Sequence, residues 1–310
     1  MKGIVVKSTG SWYEVLTENG LRINCRIKGK FRTKNIESTN PVAVGDKVRI
    51  ELEQDRNGLI TDIEKRDNYI IRKATNLSKR IHIIASNIDQ AILIATLKNP
   101  VTSTMFIDRF LVSAESFHVP TIILINKIDI YDKKTIAEQN KLSNTYSNAG
   151  YDVYAISAET RYNLDIFEGM LKGRTSLVSG ISGVGKSTLI NAIDPNLNLK
   201  VREISDHHKM GKHTTTFAEM FELKFGGFII DTPGIKSFGL IDMKEGLAHR
   251  FPEMRKIMDQ CQFSNCLHIN EPNCAVRDAV NNGEIATFRY NNYLAMFNSN
   301  EDDPYRQKGY

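Results

Sequence analysis

Residues 180–187 read Gly-Ile-Ser-Gly-Val-Gly-Lys-Ser, a GxxxxGK[ST] pattern. An apolar run, 176–179, precedes it and a helical pattern follows, which is the strand–loop–helix setting such a loop needs. Glycines let successive backbone N–H groups turn inward at a helix N-terminus, where the partial positive charge favours phosphate. Gly180, Ser182, Gly183, Val184, Gly185, Lys186, Ser187 and Thr188 are therefore the candidate phosphate-binding residues. Lys186 is expected to reach the β- and γ-phosphates and Ser187 to hold Mg²⁺.

A P-loop does not select the base. Asn126-Lys127-Ile128-Asp129, at the end of a second apolar run (121–125), can do so. A carboxylate at Asp129 accepts two hydrogen bonds from guanine, at N1–H and the exocyclic amine, whereas adenine offers an acceptor at N1. A buried carboxylate left unpaired costs at least about 1–3 kcal/mol, so guanine is selected. Asn126 is expected to tie this loop to the P-loop, and the Lys127 stem to cover one base face. Ser157-Ala158, after a third strand-like run, adds a backbone N–H for guanine O6.

Asp231-Thr-Pro-Gly234 follows a fourth apolar run. Asp231 can hold Mg²⁺ through water and the Gly234 N–H can meet a γ-phosphate. Between the P-loop helix and that run lies Lys212-His213-Thr214-Thr215-Thr216, from which Thr215 is the chosen Mg²⁺ ligand among three adjacent threonines. Ile235 stands where a water-orienting Gln is common. An apolar side chain cannot hold water, which leaves His213 as the nearest polar candidate to do so. Lys186, Thr215 and His213 are thus the candidate catalytic residues, and His207 and His208 read as solvated loop. The segment after Gly234 runs straight into the C-terminal region, so a γ-phosphate contact there is placed to bias that region's position.

Cys261-x4-Cys266-x-His268-x5-Cys274 offers three thiolates and one imidazole within fourteen residues. That donor set suits tetrahedral Zn²⁺ with no position left open for catalysis, hence a structural ion. Three cysteines are an odd number for disulfides, and unbound reduced thiols are the remaining alternative. The fourth cysteine, Cys25, reads as a small buried residue.

These residues need elements to carry them. Residues 1–65 alternate short β-rich runs with Gly, Asn and Asp, which predicts five short strands and a small closed barrel, OB-fold or SH3-like, with Trp12, Tyr13 and Val15 at least partly in its core. From about residue 85 strands alternate with helices, the pattern of a parallel sheet wound on both faces. Beyond residue 240 the chain reads as helical around the cysteine cluster, then ends in a polar tail.

In an ordinary GTPase the P-loop comes first and NKxD and SA come last. Here NKID and SA precede the P-loop, the threonines and DTPG, so the chain resembles the circularly permuted GTPases. The barrel, GKHTTT, DTPG and the Cys/His spacing make it similar to the ribosome small subunit-dependent GTPases over essentially its whole length. The resemblance implies a circularly permuted α/β P-loop GTPase fold with a mostly parallel, doubly wound sheet. It also implies an OB-fold barrel before that domain and a small helical zinc-binding domain after it, with boundaries at 1–67, 68–240 and 241–310. It implies one structural Zn²⁺, Mg²⁺ with GTP, and hydrolysis to GDP that is slow until the maturing small subunit binds, with both flanking domains touching rRNA.

Composition supports that setting without determining it. Lys and Arg number 41 against 36 Asp and Glu, a net +5. The excess concentrates in residues 22–34, where Arg22, Arg26, Lys28, Lys30, Arg32 and Lys34 have no acid among them. Arg26, Lys28, Lys30, Arg32 and Lys34 are the candidate phosphate contacts to RNA. Arg289, Tyr290 and Tyr293 can serve RNA or helix packing. No apolar run approaches the ~20 residues of a membrane helix and the N-terminus lacks a signal-peptide core, so a cytoplasmic protein is expected, and a monomer is the expected state of assembly. Two other functions fit part of the pattern: a nucleotide-gated RNA-binding adaptor with incidental hydrolysis, and a metal-handling GTPase, which the closed Cys₃His set disfavours.

Overall fold

The computed structural model describes residues 1–28, 41–53, 57–73, 81–199, 218–231 and 246–299. Lys30, Arg32, Lys34, His207, His208, His213, Thr215, Gly234, Ile235 and the polar tail lie outside the described residues, as does the side chain of Asp231. In the barrel, apolar residues alternate along β1 (Lys2–Ser8), β2 (Tyr13–Thr17), β3 (Arg22–Ile27), β4 (Lys47–Leu52) and β5 (Gly58–Ile63). They pair in the order β1-β2-β3-β5-β4 and β4 returns to β1, the closed ring of an OB-like barrel. Val5, Tyr13, Val15, Ile23, Cys25, Val48, Ile50 and Ile60 fill it. Trp12 sits just before β2 and is only half-buried, its ring under the Arg26 guanidinium at 4.0 Å rather than in the barrel interior.

A hairpin without a sequence signal follows, β6 (Tyr69–Lys73) with β7 (Ile81–Ser86). It fastens the barrel to the next domain. Asp46, fully buried, accepts from Arg66 Nε and Nη2 at 2.7 Å each, from Ser86 Oγ at 2.6 Å and from the Ala43 N–H at 2.8 Å. Four donors on one carboxylate offset the cost of burying it. Val6 and Val44 of the barrel belong to the same apolar cluster as Ile70, Ala91 and Leu93.

The central domain supplies the parallel strands. They are β8 (Gln90–Ala95), β9 (Thr121–Ile125), β10 (Asp152–Ala155), β11 (Thr175–Ser179) and β13 (Phe228–Asp231), with β12 (Glu219–Glu222) antiparallel to β13. Every residue of β8 is buried, as expected for a strand covered on both faces. One face packs on α1 (Thr104–Ser116) and α2 (Lys133–Ala149), the other on α3 (Leu164–Leu171) and α4 (Lys186–Ile193). The sheet order is β10-β9-β8-β11-β13-β12. Counted from the P-loop strand β11 as first, with β8 following β13, that order reads 6-5-4-1-3-2. The break in chain order thus falls between β10 and β11 while the sheet stays whole, which is the circular permutation. β12 continues into β1 through one residue pair, Lys7↔Glu219, whose side chains also meet at 2.8 Å.

The C-terminal region, with α5 (Pro252–Arg255), α6 (Ala275–Asn281) and α7 (Thr287–Asn298), docks on α1. Val112 of α1 is part of its apolar core. At the contact Arg289, 1% exposed, donates Nη1 to Asp108 Oδ1 at 2.5 Å and forks Nε and Nη2 onto Glu253 at 2.7 and 2.8 Å. Tyr146 and Asn292 donate to the same Asp108 carboxylate at 2.9 and 2.6 Å. Burial holds Asp108 above its ordinary carboxylate range even with Arg289 beside it. Arg289 is therefore a packing residue, and a switch acting on this region works against a buried ion network. Arg289→Leu leaves the buried Asp108 and the half-buried Glu253 without a counter-charge and should cost about 3–5 kcal/mol in denaturant unfolding; a cost below about 1 kcal/mol would remove the network from the docking contact.

Candidate functional site

The carboxyl ends of β8, β9, β10, β11 and β13 face one side, and the crevice between β11 and β8 is where the strand order reverses. The P-loop leaves β11 there. Gly180 has φ +154, and a Cβ on it would lie 2.3 Å from the Ile94 carbonyl oxygen of β8. Gly185, the residue before α4, has φ +92, and its Cβ would meet Asn126 Nδ2 at 2.6 Å. Both positions are closed to side chains, so the loop lies flat against the neighbouring strand end. Lys186 begins α4 and bends back over the loop, donating Nζ to the carbonyls of Gly180 at 2.7 Å and Ile181 at 3.0 Å. Its ammonium thus sits on the loop that the backbone N–H groups line. Val184 is buried, Gly183 and Ser187 are half-buried, and Ser182 and Thr188 are exposed.

The NKID loop is locked to this one. Asn126, 2% exposed, donates Nδ2 to the Val184 carbonyl at 2.8 Å, and its N–H bonds to the Ala95 carbonyl of β8 at 2.8 Å. Lys127 stands at φ 64 and donates Nζ to the Gly183 carbonyl at 2.7 Å and to the Asn99 carbonyl. Lys127 thereby shares the tie that the sequence reading gives to Asn126 alone. Its left-handed backbone, which aims the stem across the loop, has no signature in a four-residue motif. Burial lowers the Lys127 pKa from its ordinary value.

Asp129 lies at the mouth of this arrangement and is exposed, which corrects its treatment as a buried carboxylate. Its Oδ1 accepts from the Ser157 hydroxyl at 2.5 Å, and Ser157 Oγ in turn accepts the Thr160 N–H at 3.1 Å. Ser157 is buried and Ala158 half-buried at the end of β10. The discrimination against adenine therefore depends on a base that itself covers Asp129 from water. Asp231 closes β13 on the other side of β11, and the Thr215 and Gly234 positions are outside the described residues.

The Cys261, Cys266, His268 and Cys274 ligand atoms all lie within 4.8 Å of one another. The Cys261 and Cys274 sulfurs stand 3.6 and 3.5 Å from His268 Nδ1 and 4.0 Å from each other. A tetrahedral zinc with ordinary Zn–S and Zn–N bonds needs edges of about 3.5–3.8 Å, so the four fit one ion. Burial lowers the His268 pKa, favouring the neutral imidazole that binds metal. Burial pushes the Cys266 thiol up to about 12, so a cation is what allows thiolates to gather here.

His268 occupies φ 60, and the loop around it is held from three sides. Tyr290 and Tyr293 of α7 donate their hydroxyls to the carbonyls of His268 at 2.6 Å and Leu267 at 2.5 Å. That gives the two tyrosines a structural task rather than an RNA contact. The Glu271 carboxylate accepts the N–H groups of Leu267, Ile269 and Asn270 at 2.8, 2.8 and 3.0 Å. Burial alone would raise Glu271, but these donors outweigh it and hold the carboxyl down to about 2. A depressed carboxyl stabilises the fold fully above its ordinary 4.5 and loses that contribution as pH falls towards about 2, so at neutral pH the brace is complete. Glu271→Gln should speed zinc transfer to a chelator at pH 7 about tenfold; wild-type release kinetics would show that the brace does not support the site.

On the barrel, Arg26, over the Trp12 ring, and Lys28, just after β3, are exposed.

Comparison with known proteins agrees with this geometry. The family model described as RsgA GTPase matches residues 63–241, and the RsgA N-terminal domain matches residues 2–60. A Christiangramia forsetii protein named small ribosomal subunit biogenesis GTPase RsgA is 53% identical over 307 residues, covering 98% of each chain. A Bacteroides fragilis protein of the same name is 52% identical and covers 99% of each. Among solved structures, YjeQ from Thermotoga maritima aligns with a TM-score of 0.78 at 38% identity over 96% of each chain. YloQ, described as a circularly permuted GTPase, aligns at 0.72 and 33% identity over 96% of this chain and 93% of its own. With its permuted sheet, its two locked loops and its Cys₃His cluster, the chain belongs to the RsgA GTPase family.

Proposed function

We propose that this chain hydrolyses GTP to GDP and phosphate while bound to the maturing small ribosomal subunit, as a late assembly factor whose binding and release follow the nucleotide. The observation that carries this is the junction of the two loops, with Asn126 and Lys127 bonded to Val184 and Gly183 across the β8–β11 crevice. It ties the loop that carries Asp129, the carboxylate we assign to guanine, to the loop we assign to phosphate. Gly180, Ser182–Thr188 and Gly234 take the phosphates, while Asp129, Ser157 and Ala158 take the base. Ser187, Thr215 and Asp231 hold Mg²⁺. Lys186 and Thr215 stabilise the charge that develops on the transferred phosphoryl group, and His213 positions the attacking water in place of a Gln.

The division of labour is barrel 1–67 for rRNA, 68–240 for nucleotide and 241–310 for the zinc-stabilised end, in a cytoplasmic monomer. The subunit association comes from the names of the relatives. Ile235 favours one rival, a nucleotide-gated adaptor whose hydrolysis is incidental.

GTP turnover with and without purified small subunits separates the two. Stimulation of at least about a hundredfold, lost in His213→Ala with GTP binding retained, is expected if general positioning of water is at work. Equal turnover with and without subunits would favour the adaptor, and full stimulation of His213→Ala would clear that residue of its role. Charge reversal of Arg26, Lys28 and Lys30 together should weaken subunit binding and lower the slope of its salt dependence by about three; an unchanged slope would place the RNA contacts elsewhere.

A further inference from the structure

Tyr131 lies two residues beyond Asp129, at the end of a short 3₁₀ turn (Ile128–Ile130), and no motif includes it. It is 8% exposed and packed in the core under α1 and α2. Its hydroxyl is used twice. It donates to the Asn126 carbonyl at 2.8 Å and accepts the Leu97 N–H at 2.8 Å. The first bond fixes the peptide between Asn126 and Lys127, the point where the chain turns left-handed. The second pins the loop that follows β8. That loop carries the Asn99 carbonyl to which Lys127 Nζ bonds, and it closes on itself through Thr96 and Thr102, whose N–H groups bond to Thr102 Oγ1 at 3.0 Å and the Thr96 carbonyl at 2.7 Å. One phenol therefore sets both ends of the Lys127 side chain's span, and the backbone from which Asn126 and Asp129 project.

We propose that Tyr131 is a positioning residue for guanine recognition: its hydroxyl holds the NKID loop and the loop after β8 in the register that lets Asp129 take both guanine donors at once. This rests on the reading of Asp129 as the base-selecting carboxylate. Tyr131 touches no nucleotide. Two hydrogen bonds accepted by one rigid carboxylate demand tighter placement than one, so the 2-amino group is what a loosened loop gives up first. The consequence lies in base affinity and not in phosphoryl chemistry, since Lys186 Nζ is held by the Gly180 and Ile181 carbonyls, at the end of the P-loop away from its ties to Asn126 and Lys127 at Val184 and Gly183.

The test is Tyr131→Phe, which keeps the ring in the core and removes only the hydroxyl. GDP binding should weaken about tenfold, as expected for losing one well-placed pair of buried hydrogen bonds. Binding of IDP, which lacks the 2-amino group, should weaken less, so the GDP-to-IDP preference narrows at least about threefold. Turnover at saturating GTP should stay within about twofold and zinc content should be unchanged. Wild-type GDP affinity, equal losses for GDP and IDP, a matching fall in saturating turnover, or a variant that no longer folds would each overturn the assignment. Asp129→Asn serves as the separate arm: its amide donates to the 2-oxo group of xanthine, so preference should move from GDP to XDP. Failure of that exchange overturns the base-site reading itself, whatever Tyr131→Phe does.

Discussion

The parallel pairing of β8 with β11, from Ser176↔Gln90 to Ser179↔Leu93, is the contact on which the rest of the molecule depends. These strands are distant in sequence, and in the permuted chain the barrel and β6–β7 hairpin precede one while the NKID segment precedes the other. Only their adjacency brings the P-loop against the Ile94 carbonyl and so within reach of Asn126, whose own N–H bonds to the Ala95 carbonyl. The glycines at 180 and 185 follow from that closeness: each occupies a place where a Cβ would strike β8 or Asn126. Permutation moved the chain ends and left this seam untouched, which is why a reordered set of motifs still assembles one site.

Motifs with a built-in geometric requirement were legible in the sequence. The P-loop, NKID, Ser157-Ala158 and the Cys/His spacing each fall at strand ends or within one tight loop, so spacing along the chain translates directly into proximity. The strand–helix alternation and the five-strand barrel were legible for the same reason, since period two and period 3.6 are local properties. Trp12 was harder, because a large aromatic at a strand start satisfies a core or a surface stack equally well, and only Arg26 opposite decides it. The β6–β7 hairpin was invisible because its stability comes from elsewhere, through the buried Asp46 and its partners on Arg66 and Ser86. Tyr131 and Lys127 show the same limit: their roles come from carbonyls that are remote in sequence and carry no side-chain signature.

The ends of the molecule attach in different ways. The barrel shares an apolar cluster with the central domain but reaches its sheet through a single residue pair, Lys7↔Glu219, on the strand that follows the threonine segment. The zinc-bearing end shares a core with α1 and adds the buried Arg289 and Asp108 with the half-buried Glu253. A change propagated from the nucleotide meets a desolvated charge cluster on each side, Asp46 with Arg66 at the barrel and Arg289 with Asp108 and Glu253 at the zinc-bearing end, and desolvated pairs resist separation because each partner would be left stranded.

The Lys7↔Glu219 pair also bears on solubility. β12 is the outer strand of the nucleotide-binding sheet, and an unpaired strand edge is a template for joining other chains. Here β1 of the barrel meets that edge at one residue pair with a Lys–Glu contact, and β12 and the opposite edge strand, β10, are each only four residues long. Among the described residues the barrel thus occupies that edge at Glu219, the first residue of β12.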